Sequence, residues 1–369
     1  MIRRTLSALA ICLSLTAGMA QTTTEPAKVY FTSEITPESL VSIFKALGVT
    51  PEGNVAVKIS TGESAQSNHL RPELIGSLVK EVKGTIVECN TAYGGNRSNT
   101  ASHRRAIEQR GYGEIATVDI MDEEGGMNLP MQDAKWFAEN LVGSHLANYD
   151  FMINLAHFKG HAMGGFGGVL KNQSIGIATP DGKTRIHTAG AYSDPRYVFQ
   201  QPHGQDAFLE SMAGQSVHNY FKGKKGIVYI NVMNNLSVDC DCDGHPHAPE
   251  MKDIGILASL DPVALDKACL DLVYNHEPTA GDNNRPLVQR IDSRHGTHTV
   301  DYAEQIGLGT KSYDLIDVTT SGIDDIAVDG VRKYNVYDLK GVKVLSNASD
   351  LSGLTPGIYI VNGQKQRIE

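Results

Sequence analysis

The sequence has little of what marks the commoner chemistries. One tryptophan, 7% aromatic residues and a net charge of −9 with no block of five or more Lys or Arg argue against a nucleic-acid-binding surface. Five cysteines in 369 residues are too few for a disulfide scaffold, and a chain of this length can bury a core without one. There is no Gly-x-Ser-x-Gly and no His-Glu-x-x-His, so the serine-hydrolase elbow and the zincin helix are excluded. No ferredoxin run of four cysteines occurs, and an iron–sulfur cluster is not expected. Outside the N-terminus no stretch approaches about 20 apolar residues, so no membrane span is expected. What remains is an acidic protein of ordinary globular composition, suited to a small-molecule substrate.

At the N-terminus Arg3 and Arg4 precede an apolar stretch from Leu6 to Ala17 that ends in Gly18, Met19 and Ala20. Residues 1–20 therefore read as an export signal, and the rest of the chain is expected in the periplasm, secreted or at the cell surface. The paired arginines leave the twin-arginine route open beside the general one.

Residues 28–318 alternate short β-rich runs with helical patterns: strands at 54–61, 85–90, 114–121, 151–155, 226–232 and 254–258, helices at 73–83, 101–110, 134–148, 206–221 and 262–274. Alternation of this kind implies parallel strands with helical crossovers, so an α/β fold with a mostly parallel sheet sandwich, in one or two lobes, is expected. Residues 319–369 read as a polar linker and a small antiparallel β-module. In open α/β sheets ligands gather beyond the carboxyl ends of the strands, which directs attention to three post-strand segments.

The first, Asn154 to Ala178, places His157, Lys159 and His161 ahead of Gly164, Gly165, Gly167 and Gly168. Such glycines let backbone approach a ligand, and the following helix is expected to offer its free N–H groups to an anion. The competing reading is a tight packing turn. The second, Asp239 to Glu250, packs Cys240, Cys242, His245 and His247 among carboxylates. Thiolates and imidazoles at this density suit a divalent transition metal such as zinc, iron or nickel. A disulfide from Cys240 or Cys242 to Cys89 or Cys269 competes with that reading. The third, Thr91 to Arg105, offers Arg97 as a bidentate grip for a carboxylate and His103, which is either an acid/base group or a residue of a capped helix turn.

These segments, with LRPEL at 70–74 and SLDPVALDKA at 259–268, resemble the family catalogued as domain of unknown function 362. A more distant resemblance, to the lactate racemases, rests on His161, Gly165-Phe166-Gly167-Gly168, Lys171 and His187. That resemblance implies a nickel pincer nucleotide tethered by Lys171 and ligated by His187, the glycines lining its site. His161 and His103 would then be paired acid and base. The Asp-x-Thr-Arg-Pro signature of those enzymes is represented here by His69-Leu70-Arg71-Pro72. The C-terminal YNVYDLKGVKV and GIYIVNGQK resemble secretion and sorting modules of Bacteroidetes, which implies a partner in the secretion machinery. The expected function is a metal- or nickel-pincer-dependent racemase, epimerase or oxidoreductase acting on a small hydroxy acid or related carboxylate. A secreted metal-binding protein without turnover is the alternative.

Overall fold

The structure, a computed structural model, describes residues 25–214, 217–319, 334–338, 343–348, 351–361 and 364–368. The expected export signal and nearly all of the polar linker lie outside these residues. The first part of the chain forms β1 (Ala27–Thr32), α1 (Pro37–Ala46), β2 (Val55–Lys58), α2 (Pro72–Glu81), β3 (Thr85–Glu88), α3 (Thr100–Gln109), α4 (Tyr112–Ile115) and β4 (Val118–Ile120). Then come β5 (Gly126–Pro130), β6 (Glu139–Gly143), β7 (Phe151–His157), β8 (Lys159–His161), β9 (Gly165–Gly167), α5 (Val169–Ser174) and α6 (Pro180–His187). The remainder is α7 (Gln205–Ala213), α8 (Val217–Lys222), β10 (Gly226–Met233), β11 (Gly255–Ser259), α9 (Pro262–Tyr274), α10 (Arg285–Ser293), α11 (His298–Gln305) and β12 (Tyr313–Asp317).

Eight strands form one continuous sheet in the order β12-β1-β11-β10-β7-β2-β3-β4, which answers the choice between one lobe and two. Its central strands β7, β10 and β11 are buried on both faces, as strands covered by helices on both sides must be, while β12 at the edge is largely exposed. Along β7, Phe151, Ile153 and Leu155 enter the core with Leu40 and Ile43 of α1 and Ile75 and Leu78 of α2. Met152 and Ala156 enter the opposite core with Val169 of α5 and Val263 and Leu265 of α9. Helix α9 occupies the span its pattern predicts because both ends are specified locally. Asp261 caps it by accepting from Val263 N at 2.8 Å and Ala264 N at 2.9 Å, and Pro262 opens its first turn.

Strand β11 runs antiparallel to both β1 and β10, against the expectation of a parallel crossover. The chain leaves β10 and re-enters as its neighbour at the same edge of the sheet, with a loop in place of a helix, so reversal is the only geometry available. The helix expected at 134–148 is instead β6 followed by a 3-10 turn, Ser144–Asn148. Its apolar periodicity is overridden by pairing with β5 and by Gly143, where a Cβ would stand 2.6 Å from the Met121 backbone. The expected helix at 206–221 divides into α7 and α8 beyond Gly214. The expected strand at 114–121 shortens to β4 because α4 takes its first residues.

The C-terminal module is a four-stranded antiparallel sheet of β13 (Tyr334–Tyr337), β14 (Lys343–Ala348), β15 (Gly357–Val361) and β16 (Gln364–Ile368), ordered β14-β13-β15-β16.

Candidate functional site: a cation-rich cavity with a thiol–imidazole cluster

Strands β2, β3, β7 and β10 run parallel and end at one rim. From β2 the chain builds outward through β3 and β4, whereas β7 and β10 lie on its other side. The crevice at such a reversal is where α/β sheets bind ligands. A cavity of about 550 Å3 opens there.

One wall is a buried ion network. Lys58, the last residue of β2, lies 3.0 Å from Glu88 Oε2 at the end of β3 and also donates to the Ile59 carbonyl. Glu88 Oε1 accepts from Thr61 N at 2.8 Å and from Arg97 Nη1 at 3.3 Å. Arg97 Nε donates to Glu63 at 3.3 Å, and Nη2 donates to the Tyr93 hydroxyl at 3.3 Å. Burial opposes the charge on Glu88, but Lys58 and Arg97 outweigh it and hold the carboxyl at about 2. A second network lies beside it. Asp241 accepts from His157 Nδ1 at 2.7 Å and Lys159 Nζ at 2.9 Å, and despite its burial these two partners keep it well below the usual carboxylate range.

Next to Asp241 stand two sulfurs. The Cys240 thiol donates to the Cys242 sulfur at 2.7 Å. That contact holds Cys242 below the ordinary thiol value, against burial and with help from Lys171 and His161, and raises Cys240. His161 completes the group: one donor atom from each of His161, Cys240 and Cys242 falls within 4.8 Å of the other two. Its Nδ1 accepts from Gly164 N at 2.9 Å and Met163 N at 3.2 Å, which fixes the ring and puts the proton of the neutral imidazole on Nε2, so a metal bound there would displace that proton as well as the thiol protons. Two sulfurs and an imidazole are a borderline-to-soft donor set, compatible with zinc, nickel or iron.

The opposite wall comes from α5 and α6. Lys171 and Lys183 line it with His187. His187 lies one helical turn beyond Lys183 and stacks on Phe208 at 4.8 Å. Burial lowers His187 to about 3, so the ring is neutral. Phe199, 68% exposed, stands at the mouth beside Tyr93, their ring centroids 6.4 Å apart.

The sequence matches the family described as Domain of unknown function (DUF362) over residues 55–271. The chain belongs to that family. No curated protein matches it. Among solved structures it is similar to the lactate racemase apoprotein of Thermoanaerobacterium thermosaccharolyticum, at 12% identity over 67% of this chain and 57% of that one, with a TM-score of 0.38. It is also similar to a Thermotoga maritima protein, at 10% identity over 73% and 58% of the two chains, with a TM-score of 0.32. The chain spans less than two thirds of either.

In this DUF362 chain, the cavity brings together His161, Lys171, His187, Arg97, Cys240 and Cys242. Four expectations about the surrounding residues need correction. His103 is fully buried behind the wall, bonded to Thr61 Oγ1 at 3.2 Å and Asn90 Oδ1 at 3.3 Å; it positions the network and does not face the cavity. His245 and His247 point outward from the loop, His247 onto Asp239 at 2.5 Å, because hydrogen bonds from Ser64 and Ser67 to the carbonyls of Gly244 and Asp243 turn the chain toward solvent. Arg97 has two carboxylates already and is not free to grip a third. Cys89 and Cys269 are free thiols, Cys89 donating to the Ile177 carbonyl and Cys269 accepting from Asn231, so neither disulfide expectation is met.

The glycine run is also reassigned. The first N–H groups of α5 are capped by Asp266, at 3.0 Å from both Val169 N and Leu170 N, so they are not open to a phosphate. Gly168 makes room for that carboxylate, 2.2 Å from where its Cβ would sit. Gly165, at φ +81°, packs against Gly296 and Ile291, and Gly167 leaves space for Lys171 and Lys159. His69 and Arg71 bond each other at 2.9 Å, and Arg71 also bonds Ser67 O; neither lines the cavity. Sequence reasoning missed Lys58, Glu88 and Lys183, and took Glu63 only as part of a polar loop before a helix. The signal for Lys58 was present, a lone lysine closing the apolar run Val55-Ala56-Val57.

Proposed function

We propose that this protein is a transition-metal-dependent enzyme acting on a small hydroxy acid or related carboxylate. The metal would be held by Cys240, Cys242 and His161. The carrying observation is the convergence of these three donors in a cavity that Lys171 and His187 also line. A metal displaces thiol protons from such a cluster and binds more tightly as pH rises. Membership of the DUF362 family is compatible with this reading.

One specific observation favours a nickel pincer nucleotide as the form of the metal. Lys171 and His187, the tether and ligand that the racemase resemblance implies, line the same cavity, and neither side chain has a hydrogen-bond partner among the described residues. Such a group, when bound, supplies a hydride acceptor for the carbon bearing the hydroxyl. In that form His187 would ligate the metal in place of Cys240, Cys242 and His161, and His161, held by two backbone N–H groups, would be free to move a proton there. The proposal includes export, supported by Arg3, Arg4 and the apolar stretch from Leu6 to Ala17, and delivery by the C-terminal module.

The test is metal analysis and intact mass of protein purified from its native host. A bound metal that is lost in the Cys240→Ser/Cys242→Ser double variant is expected, since removing two thiolates abolishes a site of about four ligands. A mass increase mapped to Lys171 identifies the pincer form. Metal content unchanged in the double variant would refute the proposed centre, and metal without turnover of any hydroxy acid would leave the metal-binding alternative.

A further inference from the structure

The charges around the cavity do not balance, and the imbalance has a location. Among the carboxylates that line it, Glu63 and Glu88 are taken by Arg97 and Lys58, and Asp241 by Lys159 and His157. Asp243 is exposed at the rim. Lys183 is left over. Its side chain is buried, 7% exposed, and its ammonium donates to the Ala178 carbonyl with no carboxylate in ion-pair reach among the described residues. Lys171, facing it from α5, has no ion pair among them either. Spacing of i and i+4 on α6 puts His187 beside Lys183 on one helix face, and His187 Nδ1 is buried without a partner. A buried ammonium or imidazole is normally hydrogen-bonded, and a buried charge is normally paired. Lys183, buried without an ion-paired carboxylate, and His187 Nδ1, buried without a partner, depart from that rule together, with the half-buried Lys171 lining the same cavity.

We propose that Lys183, with Lys171 and His187 beside it, forms an oxyanion subsite on the α5–α6 wall that binds the carboxylate or phosphate group of the ligand; where Lys171 and His187 are committed to a pincer cofactor, Lys183 would meet the anion alone. The inference rests on the reading of this cavity as the active site and adds to it the residues that recognise the ligand's charge. An incoming oxyanion supplies the missing counter-charge to Lys183 and accepts from both ammonium groups. Because Lys183 and His187 are themselves buried, their bonds to an anion are less screened than at an open surface. The subsite needs no metal, so it can be probed apart from the thiol cluster.

The experiment is calorimetric titration of the purified full chain, with its metal content measured in parallel, using oxalate in one arm and inorganic phosphate in the other. Wild type is expected to bind at least one. Lys183→Met, which keeps the volume and removes the charge, is expected to weaken that binding by about tenfold or more, with metal content unchanged and Lys183→Arg retaining part of the affinity. Oxalate alone assigns the subsite to a carboxylate, phosphate alone to a phosphorylated ligand, and either result supports it. In anion-free buffer Lys183→Met is expected to melt at or above the wild-type temperature, because an uncompensated buried charge has been removed. Wild type binding neither anion, Lys183→Met binding as wild type does, or Lys183→Met melting lower in anion-free buffer would each overturn the subsite. Loss of metal in Cys240→Ser/Cys242→Ser with anion binding intact separates the two proposals: failure of one leaves the other standing.

Discussion

The two walls of the cavity use the same side chains to opposite ends. On the β2–β3 side every cation has its anion: Lys58 and Arg97 meet Glu88, and Arg97 meets Glu63. On the α5–α6 side Lys171, Lys183 and His187 face the same space with no carboxylate partner among the described residues. Strand ends adjacent in a parallel sheet can supply both members of an ion pair, so charges there become architecture. Helical side chains reaching in from another layer meet no such neighbour, and their charges stay available to a ligand. A lysine lining a site is therefore informative only once its counter-ion has been sought.

The contrast breaks first at Glu88. Glu88→Gln leaves Lys58 and Arg97 with less than their counter-charge in a buried setting and is expected to cost about 3–5 kcal/mol in urea unfolding, whereas Lys183→Met on the facing wall costs nothing. Equal losses at the two positions would erase the distinction.

A smaller effect sharpens it through pH. Burial lowers His103 to about 3, so the folded protein resists a proton that the unfolded chain accepts below the ordinary value of 6.5. Its contribution to stability is complete above that value and is lost progressively as pH falls toward 3. Glu88 adds a loss beginning near 4.5 and ending near 2. Asp266, raised by burial to about 6, works the other way, stabilising the fold as pH drops from 6 to 3.8. Urea midpoints taken from about pH 7 downward should fall, and His103→Gln should flatten the part of the slope that begins near 6.5. An unchanged slope would show that His103 takes up its proton equally readily in the folded and unfolded chain, against the effect of its burial.

The smallest expected effect lies outside both walls. His245→Ala and His247→Ala remove exposed rings and are expected to change stability by no more than about 0.5 kcal/mol, with metal content as in wild type. Metal loss in either would restore the loop histidines as ligands.

Much of this was legible in the sequence, and the limits have physical causes. The central strands of the sheet announce themselves because they are buried on both faces, and α9 because Asp261 and Pro262 mark its start, whereas the more exposed β1 and β12 went unread. The strand at 139–143 could not be read, since its pairing with β5 and the fit of Gly143 against Met121 are tertiary facts. The rule that post-strand loops share a rim brought His161 to the cavity but failed for His103, while Lys171 and His187 reach it from helices α5 and α6. The orientation of His103, His245 and His247 depends on Thr61, Asn90, Ser64 and Ser67, partners distant in sequence. Lys183 stands in the triplet Gly182-Lys183-Thr184, which the sequence reading passed over and which lies inside α6, outside any phosphate loop, and its want of an ion-paired carboxylate is visible only once every neighbouring charge is placed.

The thiols ride on the segment between β10 and β11, two strands that are antiparallel neighbours. Since the segment leaves and rejoins the sheet at one edge, it is in effect a long hairpin tip with fixed endpoints. Gly160 lets it press close, its absent Cβ lying 2.6 Å from Val238 Cα, and Gly160 N and Glu63 N pin it at Ser237 and Asp241. Donors can thus be added, deleted or respaced within this tip without moving a strand or helix. For a protein engineer it is a cassette: a place to exchange one coordination chemistry for another while Lys171, Lys183 and His187 stay on a separate, untouched scaffold.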